Sequence, residues 1–387
     1  MDSITLRGIT WNHSRALPPL VATAQRFEEL NPRVQIEWTK RSLHEFGHAD
    51  LGTLARAFDL LVIDHPMMGD AEADGLLVDL LPLLSETEIE ELKNDSLGEC
   101  FSSYRYNGKL YALPIDAAAP AASFRPDLLD QLGLNEPKVW EDVMTLARLG
   151  WVRMPGFSAD IFLNFMGLCV SRGSAVAASP DHLVDWEIGA GCLEQLCELA
   201  ALMPEDIYQL NPIALYERMA VEETIAYCPF AYTYSNYSRE GFGAKRLRFA
   251  DPVELSKGVP MRTVLGGTGI AISAGCENPS MALEYGRYIA GKSCQRTLYG
   301  ICGGQPARRS AWDDAGLNQL TDNFFHRTAA SIENAYVRPR YRGYVGLQER
   351  AGEVVAEFCK HRGSPRRALE RIDGLYHASL NGDLHHV

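Results

Sequence analysis

His44-Glu45-Phe46-Gly47-His48 is a stretch of this chain whose spacing spells metal-dependent chemistry. On a helix, histidines at i and i+4 share a face and can hold zinc, while the glutamate between them deprotonates a bound water for hydrolysis. The same residues also carry a plainer pattern. Ser42 and Glu45 form S-x-x-E, a capping box in which Glu45 turns back to the helix start instead of facing a metal. Gly47 lies inside the motif, and a third ligand would have to be Asp64, His65 or Glu72, beyond an intervening buried strand. A helix start with two exposed histidines is the preferred reading, and no metal is expected. A nucleophilic cysteine has no better support, since neither Cys228 nor Cys302 has the basic or helix-start neighbourhood that lowers a thiol pKa. GGTGIA and GGQPA lack the spacing of phosphate-binding loops. No catalytic residue and no cofactor are expected, and an enzyme using zinc or a cysteine stands only as an alternative.

The elements around these residues alternate strand and helix. Ile4 to Thr10 reads as a strand, after which Leu17, Leu20, Val21, Ala24, Phe27 and Leu30 fall on one helical face. Pro18-Pro19 opens that helix and Asn31-Pro32 stops it. Val34, Ile36 and Trp38 alternate as a second strand, Ser42 begins another helix, and Phe58 to Ile63 is a near-continuous apolar run suited to a buried parallel strand. This β-α-β-α-β order predicts a doubly wound sheet, in which ligands bind where loops leave the carboxyl ends of the strands. Two loops qualify, Trp11-Asn12-His13 and Asp64-His65-Pro66. Asn107-Gly108 predicts a tight hairpin between Tyr-rich strands, with a crossing between lobes just after it. The stretch 124–230 reads as mainly helical, with a helix from Trp140 to Leu149 introduced by Pro137. A further strand, Gly269 to Ser273, follows Gly266-Gly267, and helices then run to the end.

Length and charge set the frame. At 387 residues the chain exceeds the ~250–300 at which single cores stop growing, so two α/β lobes are expected, with several crossings and no flexible linker. The 37 Lys+Arg against 50 Asp+Glu give a formal charge of −13, which argues against neutralising nucleic-acid phosphates. Arginines near the end, such as Arg362, Arg366 and Arg367, are interleaved with glutamates and read as amphipathic-helix surface. No stretch reaches the ~18–20 apolar residues of a membrane span. Nine cysteines, an odd number without framework spacing, read as buried free thiols. Met1 to Trp11 already reads as a strand, so either a secretory signal was removed or the protein is not exported.

In order along nearly the whole chain, TWNHSR, FEELNPRVQIEW, FDLLVIDHP, NGKLYALPID, DLLDQLGLNEPKVWEDV, YCPFAYTYSNYS, GGTGIAIS, SMALEYGRYIAGKSCQ and GGQPARRSAW resemble pieces of the family 1 extracellular solute-binding proteins, the group that includes maltose-binding protein. The resemblance implies a two-lobed periplasmic-binding-protein type II-like fold, each lobe a doubly wound sheet flanked by helices. It implies three crossings, with residues 1–115 and 261–308 in the N-terminal lobe and 116–260 and 309–387 in the C-terminal lobe. It also implies a monomeric, periplasmic component of an ABC importer that closes by a hinge on a saccharide, polyol or sugar acid and docks on permease subunits. A cytosolic ligand sensor of the same fold is the alternative.

A sugar asks for carboxylates, amides or guanidiniums to bind its hydroxyls and for rings to stack on its C–H faces. In the first lobe Trp11, His13, Asp64 and His65 are the candidates, on adjacent strand ends and on loops matching those the family uses. Asp116 stands at the first crossing, as a ligand contact or as a turn residue. In the second lobe Tyr232 and Tyr234 alternate onto one face beside Phe230, where the family presents an aromatic platform; core packing is the other reading. Gly267, with Gly266, suits close backbone approach or a turn. Arg338 and Arg340 fall where the family's last cleft contacts arise, or else form surface salt bridges, and Trp140 is assigned to the core. Asp64→Ala is expected to weaken ligand binding while leaving the melting temperature of the free protein nearly unchanged.

Overall fold

The computed structural model describes residues 3–43, 45 and 50–384. The opening elements are β1 (Ile4–Trp11), α1 (Leu17–Leu30), β2 (Val34–Arg41), α2 (Leu51–Ala57) and β3 (Leu60–Ile63). β1 runs parallel to both β2 and β3. Every residue of β3 is fully buried, which is why Phe58 to Ile63 shows no alternation: a parallel strand covered on both faces has no polar side to display. His44 and His48 of the histidine motif lie outside the described residues. Glu45 is described, and the capping box is present, with the Glu45 carboxylate accepting the Ser42 N–H at 2.6 Å and the Ser42 hydroxyl accepting the Glu45 N–H at 3.1 Å.

The hairpin of β4 (Arg105–Tyr106) and β5 (Lys109–Leu110) turns through Asn107 and Gly108 at φ of 45° and 82°, the paired positive angles of the tight turn that Asn-Gly favours. β6 (Leu113–Ala118) joins the first sheet and β7 (Pro120–Phe124) belongs to a second, so the chain changes sheets across the single residue Ala119. Helices α3 (Ser158–Ser171) and α4 (Trp186–Ala200) follow, then β8 (Tyr227–Tyr232), β9 (Arg248–Ala250), a small ribbon of β10 (Glu254–Ser256) and β11 (Val259–Pro260), and β12 (Gly266–Ile272), which returns to the first sheet. The helices that bear on the argument after that are α5 (Pro279–Ala290), α6 (Tyr344–His361) and α7 (Pro365–Leu380).

The first sheet has the order β2-β1-β3-β12-β6, with β12 antiparallel to both neighbours. The second, β8-β7-β9, is antiparallel and three-stranded, so in detail it is smaller than a doubly wound sheet. The long helical stretch between β7 and β8 brings the chain back antiparallel, and helices supply most of the second core. Phe162, Phe165, Leu193, Leu347 and Val355 from α3, α4 and α6 form its centre. The first core gathers Leu6, Leu60, Val62, Ile270 and Tyr285. A third cluster, including Tyr216, Tyr237, Phe249, Trp312 and Phe324, packs beside the crossings. Trp140 is buried and stacks on Phe230 with ring centroids 6.2 Å apart, so Phe230 faces the core. Gln305 fastens the junction of the two sheets: its amide donates to the Ala117 carbonyl at 2.7 Å and the Thr233 hydroxyl at 3.0 Å, and its oxygen accepts the Ser235 N–H at 3.0 Å. No helix among the described residues is long and apolar enough to cross a membrane.

Candidate functional site

A cavity of about 270 Å³ lies between the two sheets. From the first sheet come Trp11, the last residue of β1, and Asp64, one residue past β3; both stand at carboxyl ends of parallel strands. From the second side come Tyr232 at the end of β8, Tyr234 two residues on, and Phe157 and Asp160 at the start of α3. Arg338 and Gln348 close the wall from the segment leading into α6 and from its first turns. Gly266 and Gly267 form part of the floor. Gly267 sits at φ +98°, and a β carbon there would come within 2.9 Å of the Ala117 Cα, so the close pairing of β12 with β6 at this point requires glycine.

Two guanidiniums reach this wall, and each is held by a carboxylate. Arg15 grips Asp116 in a bidentate pair, with Nε 2.9 Å from one oxygen and Nη2 on the other, and its Nη1 donates to the Thr233 carbonyl at 2.7 Å. The Arg15 guanidinium also lies over the Tyr234 ring, 4.8 Å from its centroid. Burial opposes the Arg15 charge and Asp116 more than offsets it, so the guanidinium is held above its ordinary pKa. Arg338 pairs with Asp64 through Nη2, while Nε donates to the Leu265 carbonyl at 3.2 Å and Nη1 to the Gln348 oxygen at 3.1 Å. Burial pushes the Asp64 carboxyl up, and Arg338 together with His65 overrides it, bringing it down to about 2.

Of the residues singled out from the sequence, Trp11, Asp64, Tyr232, Tyr234, Gly267 and Arg338 line the cavity. The other four are placed elsewhere. His13 turns away because its Nδ1 accepts the Arg15 N–H at 2.9 Å and its ring packs against Tyr234, Tyr237 and Phe242. His65 is fully buried edge-on to Tyr104, with Nδ1 3.0 Å from Asp64. Asp116 is buried behind Arg15. Arg340 points away, donating to the carbonyls of Ser102 and Ser103 at 3.0 Å each and to that of Arg105 at 2.6 Å. Sequence reasoning passed over Arg15, Phe157, Asp160 and Gln348. Arg15 lies in the same loop as His13, and an arginine four residues past a strand end was the available sign of it.

The position of His13 has a measurable consequence. Burial and the neighbouring Arg15 charge push its pKa down from 6.5 to about 3. The folded chain keeps it neutral while the unfolded chain protonates it, so its contribution to stability is present above about 6.5 and is lost as pH falls toward 3, by about 1.4 kcal/mol per pH unit. Asp160, whose carboxyl burial pushes up to about 7, acts in the opposite sense over the acid range. The contribution of His13 is therefore read as a difference. His13→Asn is expected to lose this slope relative to the unaltered chain when chemical denaturation is compared at about pH 6 and pH 4.5, and parallel profiles for the two proteins would refute the burial of a neutral imidazole.

Residues 10–194 match the model of one family, described as bacterial extracellular solute-binding protein. This is the family the sequence resembles. Solved structures extend the likeness in fold over nearly the full length. An ABC transporter solute-binding protein from Agrobacterium radiobacter K84, in complex with ribitol, is 20% identical and superposes with a TM-score of 0.80 over 97% of this chain and 98% of that one. Maltose-bound MalE3 of T. maritima is 17% identical with a TM-score of 0.82, covering 97% and 99%. A solute-binding protein from Agrobacterium vitis S4 with bound D-mannitol is 16% identical with a TM-score of 0.78, covering 98% and 99%. The two-lobed α/β solute-binding fold accounts for the placement of the cavity, since its walls come from both sheets and from the junction between them. The family and these structures are binding proteins.

Proposed function

We propose that the chain is the solute-binding component of an ABC importer, taking one small saccharide or polyol between its lobes and carrying out no covalent chemistry. The observation that carries this reading is the cavity between the two sheets, lined by Trp11, Tyr232 and Tyr234 for stacking and by Asp64, Arg338 and Gln348 for hydroxyls. At about 270 Å³ it lies just below the ~300–1,000 Å³ span of ligand pockets, which suits a single ring or an open-chain polyol. The match to extracellular solute-binding proteins, and structural relatives described with ribitol, D-mannitol and maltose, support it. On this reading the chain works as a monomer outside the cytoplasm and hands its ligand to permease subunits. Residues 1–115 with 261–308 move as one lobe against 116–260 with 309–387, save that residues 116–118 complete β6 and stay with the first sheet. Cys228, buried and with its thiol pushed up to about 12, has no nucleophilic role in this reading.

Thermal shift across a library of monosaccharides, polyols and sugar acids tests the proposal. A ligand at about 100 times its Kd adds about 2.7 kcal/mol to the native state and raises the melting point by several degrees. A library in which no carbohydrate moves the transition would refute the reading.

A further inference from the structure

Asp160 is the charged group of the cavity that the arrangement leaves unbalanced. Arg15 is neutralised by Asp116 and Arg338 by Asp64, both pairs hydrogen-bonded, the first buried and the second half-buried. Asp160 lines the same space from the first turn of α3 and, among the described residues, shows neither an ion pair nor a side-chain hydrogen bond. Burial, without any opposing partner, pushes its carboxyl up to about 7. By exposed area it is half-buried, and Tyr232, Tyr234, Phe157 and Leu163 line the same cavity together with the amides of Gln209 and Asn211. A carboxylate in such a place is costly unless a cation meets it, and aromatic faces around it favour a cation further. A ligand acid would do the reverse, adding a second negative charge where both guanidiniums are already committed.

We propose that the cavity is shaped for a carbohydrate-sized ligand bearing one basic nitrogen, such as an amino sugar or amino polyol, with its ammonium group against Asp160. This rests on the carbohydrate-binding reading above and narrows it, setting sugar acids aside. Tyr232 and Tyr234 supply ring faces to the rest of the ligand, and the carboxylate supplies the charge-assisted hydrogen bond that separates the amine from its hydroxyl analogue.

The test is calorimetric titration with matched pairs, glucamine against sorbitol and galactosamine against galactose, in the unaltered chain and in Asp160→Asn. The amino member of a pair is expected to bind about tenfold more tightly or better, the increment of a charge-assisted bond over a neutral one. Glucamine, whose alkylamine stays protonated between pH 6 and pH 8, is expected to bind more tightly at pH 8 than at pH 6 as the carboxylate ionises, while sorbitol binds equally at both. The groups facing Asp160 do not titrate in that interval: Tyr234 and Cys228 are each pushed up to about 12, Tyr232 is raised further, and Arg15 and Arg338 stay charged. Asp160→Asn is expected to erase the preference between the members of each pair. Equal or tighter binding of the neutral members, or a preference that survives in Asp160→Asn, overturns the proposal while leaving the carbohydrate reading intact. Failure of every member of both pairs to bind overturns the proposal, while the carbohydrate reading stands or falls with the library above.

Discussion

Replacing Asp116 by alanine is expected to lower the unfolding free energy by about 3–5 kcal/mol, because it strands the Arg15 charge in the interior. The two side chains are 4% and 0% exposed, so water cannot take over the role of the missing carboxylate. Both groups belong to the first sheet's side of the molecule, Arg15 in the loop after β1 and Asp116 on β6, so opening of the cleft does not relieve them. Exchanging both for apolar residues, Arg15→Met with Asp116→Leu, is expected to recover most of the loss, since a buried pair removed whole leaves no unpaired charge. Urea denaturation of Asp116→Ala, of Arg15→Met alone and of the double variant reads the effect. Single variants within about 1 kcal/mol of the unaltered chain would contradict the pair's role.

Asp64→Asn has its larger expected effect on binding: ligand affinity is expected to fall by about 10- to 100-fold, or about 1.4–2.7 kcal/mol. Its partner Arg338 lies just ahead of α6, which packs in the second core, whereas Asp64 follows β3 of the first sheet. On the hinge-closure reading the pair forms only when the two sides meet. Breaking it lowers the population of the closed, binding-competent arrangement, and apparent affinity falls by the same fraction. On that reading the free protein is mostly open with both groups in water, so its melting temperature is expected to drop less than in Asp116→Ala. The sequence-level expectation for Asp64→Ala was the same in direction; the structure supplies a reason, a latch across the cleft, that the sequence did not. A melting-point drop as large as that of Asp116→Ala, with affinity kept, would mean that the pair is structural in both states.

The contrast between those pairs shows what could be read from the sequence and what could not. Strands Ile4–Trp11 and Leu60–Ile63, helix α1 and the Asn107-Gly108 turn were legible because each is fixed by neighbours within a few residues: periodicity, a stop at Asn31-Pro32, a turn that needs positive φ. The rule that ligands gather at carboxyl strand ends then brought Trp11 and Asp64 to the cavity. The same rule could not orient individual side chains. His13 turned away because Arg15 claims its ring nitrogen and aromatic residues more than 200 positions later claim its ring. Arg15 was missed because its partner lies 101 residues along the chain, and a spacing of that length carries no local pattern. Asp160 was missed because an aspartate in the first turn of a helix ordinarily needs no further explanation, stabilised as it is by the helix dipole. β12 begins at Gly266, three residues before the apolar run suggests, because Gly266 and Gly267 pair with Ala118 and Ala117 through backbone alone.

Hinge closure on a bound carbohydrate is tested most directly by small-angle X-ray scattering of the protein with and without a saturating polyol or sugar identified by calorimetry. The radius of gyration is expected to shrink in step with site occupancy, and Asp64→Asn is expected to need proportionately more ligand for the same contraction. A scattering curve that stays the same when calorimetry shows the site full would contradict a cleft that closes on its ligand.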